Sequence, residues 1–521
     1  MFSPSPARLL TTAGNFGQAR GSRLSLQALT SGVILALLFL PYPWSFLAPL
    51  PLAWLFGLIA VTPRLEDAFK LGFLAGLGFF AVHLLWLPVS FADLFGPGIT
   101  LPMLILPPLL GVFWGVTAVF GRMTGRCTLL TLPFVWVVVE HLRSLGTLGF
   151  TWGTLGYAFL PTPIIQVADL GGVALVSLLV AWSAAALAAA RFKLWWPVLS
   201  IAGVLLAAAG YGLSRPESPH APTRAGLVTL APAPDRNVLL VQGSVNPFER
   251  AQARSLGELE LYAELSRRGL AASEGDIDLI VWPEGASPLP PTLDLVQEVL
   301  SSLNTPLILG APTIEQDGFR NSAYGFTGGV TGRYDKVKLV PFGEFFPLRD
   351  SLAFAYDPLF AAIGLPGMTG ALPGESYRTL ELNDIRAGTY ICYESAFSQP
   401  ARDMARSGAN LLVNISNDAW FGRTTGAEQH FQMGRVRAIE TRRYVARAGN
   451  DGITAVIDPL GRVTQRFPRG ERAAFTAQVA LSDTLTPYVR WGDWVVGLST
   501  LALLLLVLVT AKGGWRRERR D

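Results

Sequence analysis

The chain has 521 residues and 56.2 kDa, of which 50% are hydrophobic and only 15% charged, with a mean hydropathy of +0.38. About a quarter of an ordinary soluble globule is charged, so this composition excludes one and brings in a bilayer. The net charge of +4 sits in short connections between apolar runs, which excludes a nucleic-acid-binding face as its origin.

Residues 1–23, rich in Ser, Pro, Gly and Arg, read as a cytoplasmic tail. Charge-free runs follow at 24–63, 71–92, 94–121, 170–190, 194–214 and 494–511, each at or near the roughly 20 residues that span hydrocarbon. The first is long enough for two helices, broken at Pro41-Tyr42-Pro43. A shorter run, 127–139, continues into Glu140, His141 and Arg143 and reads as the fifth helix. The prediction is seven spans over 24–214 and an eighth over 491–511, followed by a basic tail at 512–521. Lys and Arg concentrate before the first helix and after the second, fourth, sixth and eighth, and positive loops stay cytoplasmic. Residues 215–490 then fall on the opposite side. The first apolar run continues into a second span without a small-residue cleavage site, so it reads as a retained helix.

Between 215 and 490 charges return and short β-type runs alternate with helical segments. Runs at 237–242, 277–282, 306–310, 388–393 and 410–415 read as buried strands, and 248–270 and 292–303 as helices. Two later strands, 452–457 and 462–467, are joined by the turn Asp458-Pro459-Leu460-Gly461. The alternation predicts a layered α/β domain.

Three polar groups stand at or just beyond strand ends, where such folds place their sites. Glu284 follows Val281-Trp282-Pro283, Lys336 lies in RYDKVKLVPFGEFFP, and Cys392 closes TYICYES. A thiol becomes a nucleophile when a base removes its proton and a cation stabilises the thiolate. Glu, Cys and Lys supply those parts.

The order WPE, Y-x-K with LVPFGE, then CYE resembles the Glu-Lys-Cys triad of the nitrilase, or carbon-nitrogen hydrolase, superfamily. KLVPFGEFFPL (338–348), NISNDAWFG (414–422), QHFQMGRVRAIETRR (429–443) and NDGITAVIDPLGRV (450–463) resemble the membrane-bound apolipoprotein N-acyltransferases. The resemblance implies a polytopic helical domain plus an αββα sandwich on the periplasmic side of a bacterial inner membrane. It implies an acyl chain taken from a phospholipid as a Cys392 thioester and passed to the N-terminal amine of diacylglyceryl-cysteine in an apolipoprotein. Glu284 would be the general base and acid, and Lys336 with the Tyr393 N–H would hold the oxyanion. Glu344 and Glu394 match supporting carboxylates that orient Lys336 or the amine. No cofactor, metal or nucleic acid is expected, and the working unit is expected to be a monomer. One departure stands out: the family's Trp after the first strand is missing from Gln242-Gly243-Ser244-Val245-Asn246-Pro247-Phe248.

Other residues leave alternatives open. Lys338 rivals Lys336, since two residues apart on an extended chain share a face. His430 is a packing residue or a partner of Cys392. Cys127 lies at a cytoplasmic helix end, out of reach of Cys392, so no disulfide is expected. Glu140 and Arg143 would pair at the headgroup layer, and His83 would pack between helices. The apolar stretch 345–367, with Phe345, Phe346, Phe360 and Leu365 and the nearby Phe342, is either buried core or an arm guiding acyl chains. The triad alone also permits a membrane-tethered amidase, or a receptor-like binding protein that has lost its chemistry.

Overall fold

Small residues let the membrane helices come close. Helices Leu65–His83 and Leu106–Met123 meet where a Cβ on Gly72 would lie 2.4 Å from the Trp114 carbonyl oxygen, and backbone approach of this kind drives helix association in lipid. The computed structural model describes residues 6–96, 100–215, 235–245, 256–362 and 370–518. Among these, five segments are long and apolar enough to cross a membrane: Gly21–Leu38, Leu106–Met123, Gly125–Ser144, Pro163–Ala190 and Trp196–Leu213. Leu65–His83 with Trp86–Asp93 makes a further span if the two are counted as one across their 40° bend, and Ser45–Val61 and Trp494–Thr510 are shorter apolar helices. The apolar runs of the sequence therefore divide into full, bent and short helices rather than eight equivalent ones. The run 94–121 in particular is not continuous, because Gly96 leaves the helix at a φ of +86°.

The α/β domain contains twelve strands among the described residues: β1 Arg236–Gln242, β2 Leu279–Val281, β3 Leu307–Glu315, β4 Gly318–Phe326, β5 Val330–Asp335, β6 Leu380–Leu382, β7 Ile385–Ile391, β8 Leu411–Ser416, β9 Val445–Gly449, β10 Ala455–Ile457, β11 Val463–Arg466 and β12 Ala473–Val479. They form two six-stranded sheets, ordered β12-β1-β2-β3-β4-β5 and β11-β10-β9-β8-β7-β6. Each has a parallel centre, β1-β2-β3 and β7-β8-β9, with antiparallel neighbours outside.

Strand alternation sorts the side chains into layers. Val238 and Leu240 of β1 join a buried cluster with Tyr390 of β7, Val413 of β8 and Ala446 of β9, which glues the sheets together. Leu239 and Val241 point the other way, into a cluster with Leu259 and Tyr262 of helix Leu256–Ala272 and Val296 of helix Asp294–Ser301. On the far side, Ala401 and Met404 of helix Ser398–Arg406 and Phe431 and Ala438 of helix Gly426–Thr441 cover the second sheet. This is the αββα sandwich the sequence led us to expect. β4, β5, β6, β9 and β12 are strands the sequence reading did not single out.

The sandwich rests on the apolar helices through one continuous hydrophobic cluster. Tyr393, Phe397, Phe421 and Val436 share it with Phe79, Trp114 and Trp152. A polar clamp sits in the same seam: Arg442 donates to Asp169 Oδ2 from Nη2 at 2.7 Å and Nε at 3.0 Å, and to Gln166 Oε1 at 2.6 Å.

Candidate active site

Glu284 lies three residues past the end of β2, in a loop that lies directly on β3. A Cβ on Gly310 would come within 2.7 Å of the Glu284 Cα, so the absence of a side chain there lets the loop settle. Lys336 follows β5 immediately, and its backbone N–H donates to the Asn321 carbonyl of β4 at 2.9 Å. Cys392 comes directly after β7. The strand ends at Ile391 rather than running through Cys392, which opens a tight turn over Cys392–Ala396. Its φ of +48° is a left-handed conformation that non-glycine residues seldom adopt. The first sheet thus supplies the acid and the ammonium, and the second supplies the thiol.

The polar groups interlock. Lys336 Nζ donates to Glu344 Oε1 at 2.7 Å and contacts Glu284 Oε1 at 3.4 Å. The Asn321 Nδ2 amide donates to Glu284 Oε1 at 2.7 Å and to Glu344 Oε1 at 3.0 Å, while Glu344 Oε2 accepts from the Val340 N–H at 2.8 Å. Glu284 Oε2 is buried and has no hydrogen-bond partner among the described residues. Burial alone would depress the Lys336 ammonium, but Glu344 and Glu284 outweigh it and hold the group above the ordinary lysine range. Burial pushes the Cys392 thiol well up and the Glu284 carboxylate adds to this, against the opposing pull of Lys336. A buried, proton-retaining thiol beside a carboxylate with a free oxygen and a fixed cation is suited to nucleophilic attack that is switched on by proton transfer.

Glu394 does not contact the Lys336 ammonium and acts instead on the backbone beside it. Its Oε1 accepts from Tyr334 Oη at 2.7 Å, Val337 N at 2.8 Å and Lys338 N at 3.0 Å, and its Oε2 accepts from Ile391 N at 2.8 Å. It ties the segment carrying Lys336 to the turn carrying Cys392. Burial raises its proton affinity, and the amides of Ile391 and Lys338 work against that. Glu344 alone of the two contacts the ammonium.

The Lys338 side chain does not share a direction with Lys336. The chain bends after Asp335, and Lys338 Nζ donates to the Gly146 carbonyl at 3.0 Å and lies 5.2 Å from the Phe397 ring centroid. Tyr393 also turns to the apolar helices: its Oη donates to the Gly149 carbonyl at 2.9 Å and its ring stacks on Trp152 at 5.8 Å. His430 meets Cys392 through the backbone. Its Nε2 lies 3.0 Å from the Cys392 carbonyl oxygen and 2.7 Å from Ser395 Oγ, with Asp418 Oδ1 at 3.3 Å from Nδ1. It supports the turn from behind.

Glu140 and Arg143 turn to separate partners instead of pairing: Glu140 Oε1 accepts from Trp136 Nε1 and Leu155 N, and Arg143 donates to the Trp152 carbonyl. Both reach the segment that follows their helix, Glu140 at Leu155 and Arg143 at Trp152. His83 is buried, and its carbonyl accepts from Gln429 of the sandwich at 3.1 Å. Both cysteines are free.

In the apolar stretch, Phe360 is only 3% exposed and packs on Phe346 at 4.6 Å and Tyr356 at 5.6 Å. That corrects Phe360 as a lipid-facing group, because its ring closes a small core inside the segment. Phe345 is half-buried, whereas Phe342, Leu348 and Phe354 are exposed at 55%, 71% and 78%. Leu365 and residues 246–250, where the family's Trp is missing, lie outside the described residues. Asn321 is the site residue the sequence reading missed. It lies in mid-strand of β4, which no sequence pattern singled out.

Two family models match the chain: carbon-nitrogen hydrolase over residues 238–486, and apolipoprotein N-acyltransferase N-terminal domain over residues 31–186. An apolipoprotein N-acyltransferase of Geobacter metallireducens is 34% identical over 92% of this chain and 94% of its own. One of Methylococcus capsulatus is 36% identical over 91% of this chain and 94% of its own. The crystal structure of Saccharomyces cerevisiae Nit3, a member of branch 10 of the nitrilase superfamily, is 22% identical over 48% of this chain and 91% of its own, with a TM-score of 0.37.

Proposed function

Because the chain belongs to the apolipoprotein N-acyltransferase family, we propose that it transfers an acyl chain from a membrane phospholipid, through a Cys392 thioester, to the N-terminal amine of diacylglyceryl-cysteine in apolipoproteins. The observation that carries this reading is the cluster of Glu284, Lys336, Glu344 and Cys392 on a sandwich whose Tyr393, Phe397, Phe421 and Val436 form one continuous hydrophobic cluster with the apolar helices. An amidase tethered to a membrane would need the cluster but not that continuity.

In the first half-reaction, Glu284 Oε2 takes the Cys392 proton as Sγ attacks the ester carbonyl carbon. Negative charge gathers on the former carbonyl oxygen, where Lys336 and the Tyr393 N–H stabilise it. Collapse breaks the ester C–O bond, and Glu284 returns its proton to the lysophospholipid alkoxide. In the second, Glu284 takes a proton from the acceptor amine as its nitrogen attacks the thioester. The C–S bond breaks, an amide forms, and the proton returns to Cys392. Glu344 holds Lys336 in place throughout, which is what a short charge-assisted bond does best. A thiol that holds its proton until substrate arrives is spared idle oxidation on the outer face.

The family membership supports a bacterial inner-membrane location, the distribution of Lys and Arg supports a sandwich on the periplasmic side, and the proposed working unit is a monomer. The exposed Phe342, Leu348 and Phe354 suit a surface that meets acyl chains. The test is intact-mass analysis of the purified protein after incubation with phospholipid. A hydroxylamine-labile acyl adduct that disappears in Cys392→Ala is the expected result. Free acid or ammonia released from small amides with no adduct would favour the amidase, and neither product would favour a binding protein.

A further inference from the structure

We infer that Asn321 is a positioning residue that decides which oxygen of Glu284 moves the proton. The inference rests on the acyl-transfer reading and goes beyond its base, cation and nucleophile. The two oxygens of Glu284 are unequal. Oε1 accepts from Asn321 at 2.7 Å and faces Lys336 at 3.4 Å, whereas Oε2 is buried with no partner among the described residues. The second amide hydrogen of Asn321 goes to Glu344 Oε1 at 3.0 Å, and the two oxygens of Glu344 are further taken by Lys336 and Val340 N. Glu344 is therefore fully engaged, and the pair of carboxylates keeps one open oxygen.

The amide orientation follows from chemistry. Ionised carboxylates only accept, so the nitrogen of Asn321 must face both, and an oxygen there would repel both. Its place is registered as well, because the Asn321 carbonyl accepts the backbone N–H of Lys336 at 2.9 Å. One strand residue thus aligns the ammonium through its main chain and the two carboxylates through its side chain. Without the amide, Glu284 turns freely between its oxygens and its ionised form loses a donor. The charged and titratable groups facing this spot are Lys336 after β5, Glu344 in the following turn and Cys392 after β7, with Asp418 beyond Cys392.

The test uses the full-length protein in phospholipid-containing micelles, with the rate of Cys392 acylation followed by intact mass across pH. An N–H donor favours an ionised carboxylate, so Asn321→Leu should slow acylation about 10- to 100-fold near neutral pH, the worth of a hydrogen bond to a charged group. The deficit should shrink as pH rises, because the acid limb moves upward. Asn321→Asp, which keeps the shape and adds a third negative charge, should move that limb further still, and its unfolding temperature reports whether the fold is kept. A loss of the same factor at every pH in both variants, or no loss in either, would overturn the inference. If the unaltered protein forms no adduct, the acyl-transfer reading itself fails, which is a separate result.

Discussion

Two clusters of buried charge in this molecule make a useful pair. In the seam, Asp169 accepts from Arg442, Arg215 and Tyr211, and Arg442 spends its donors on Asp169, Gln166 and the Pro459 carbonyl. At the site, Lys336, Glu344 and Asn321 are just as tightly tied, but Glu284 Oε2 is left open and the Cys392 thiol keeps its proton. Buried polar groups are ordinarily satisfied. Asp169 and Arg442, with every side-chain nitrogen and oxygen engaged, help to hold the two domains together, and the open oxygen of Glu284 beside the thiol marks where a proton has somewhere to go. The same physics therefore separates structural from reactive charge.

Breaking the reactive cluster should have the largest effect. Cys392→Ala should abolish both the acyl adduct and lipoprotein N-acylation, measured by mass and by acceptor labelling, while the protein still folds. Glu284→Gln should lower acyl transfer by about 10²- to 10⁴-fold, the range for a lost general base. Cys392 alkylation by iodoacetamide separates the electrostatic part. Burial and the Glu284 carboxylate both disfavour the thiolate and Lys336 favours it, so at a given pH Glu284→Gln should alkylate faster than the unaltered protein and Lys336→Met slower. Reversal of that order would show that the thiol does not sense these groups as argued.

Breaking the seam should act on stability instead. Arg442→Met leaves the buried Asp169 without its main partner, which typically costs about 3–5 kcal/mol. Thermal unfolding should fall accordingly, while acylation per folded molecule stays the same; a matching loss of chemistry would join the two clusters into one. The smallest effect is expected at the exposed apolar rim. Leu348→Asp with Phe354→Asp should lower use of phospholipid several-fold, by lost apolar contact of about 1–2 kcal/mol, and spare a soluble thioester donor. Equal losses with both donors would assign the segment to the core.

Much of this site was legible in one dimension. Glu284 and Cys392 each follow a hydrophobic strand run, Lys336 stands in a motif after the polar strand β5, and the structure brings the carboxylate, the ammonium and the thiol together. Lys338 was indistinguishable from Lys336 by alternation, because the bend after Asp335 that separates them is made by the tertiary bonds of Glu394 to Val337 N and Lys338 N. Glu344 and Glu394 looked alike for the same reason. Each sits in a turn, and only the folded chain shows one on an ammonium and the other on backbone amides. Asn321 had no signal, since an amide in a polar hairpin strand is unremarkable until two carboxylates arrive from elsewhere.

The sequence by itself determined that the chain enters a membrane, that an α/β domain interrupts its apolar helices, and that a thiol, a carboxylate and an amine stand at strand ends. These follow from hydrophobic runs and periodicity, which are local. The tertiary structure alone decided which oxygen of Glu284 is free, which lysine is buried with the carboxylates, and how the sandwich is bolted to the helices. Those depend on hydrogen-bond partners dozens to hundreds of residues apart, such as Arg442 with Asp169, and a buried polar group takes its role from the partners it meets.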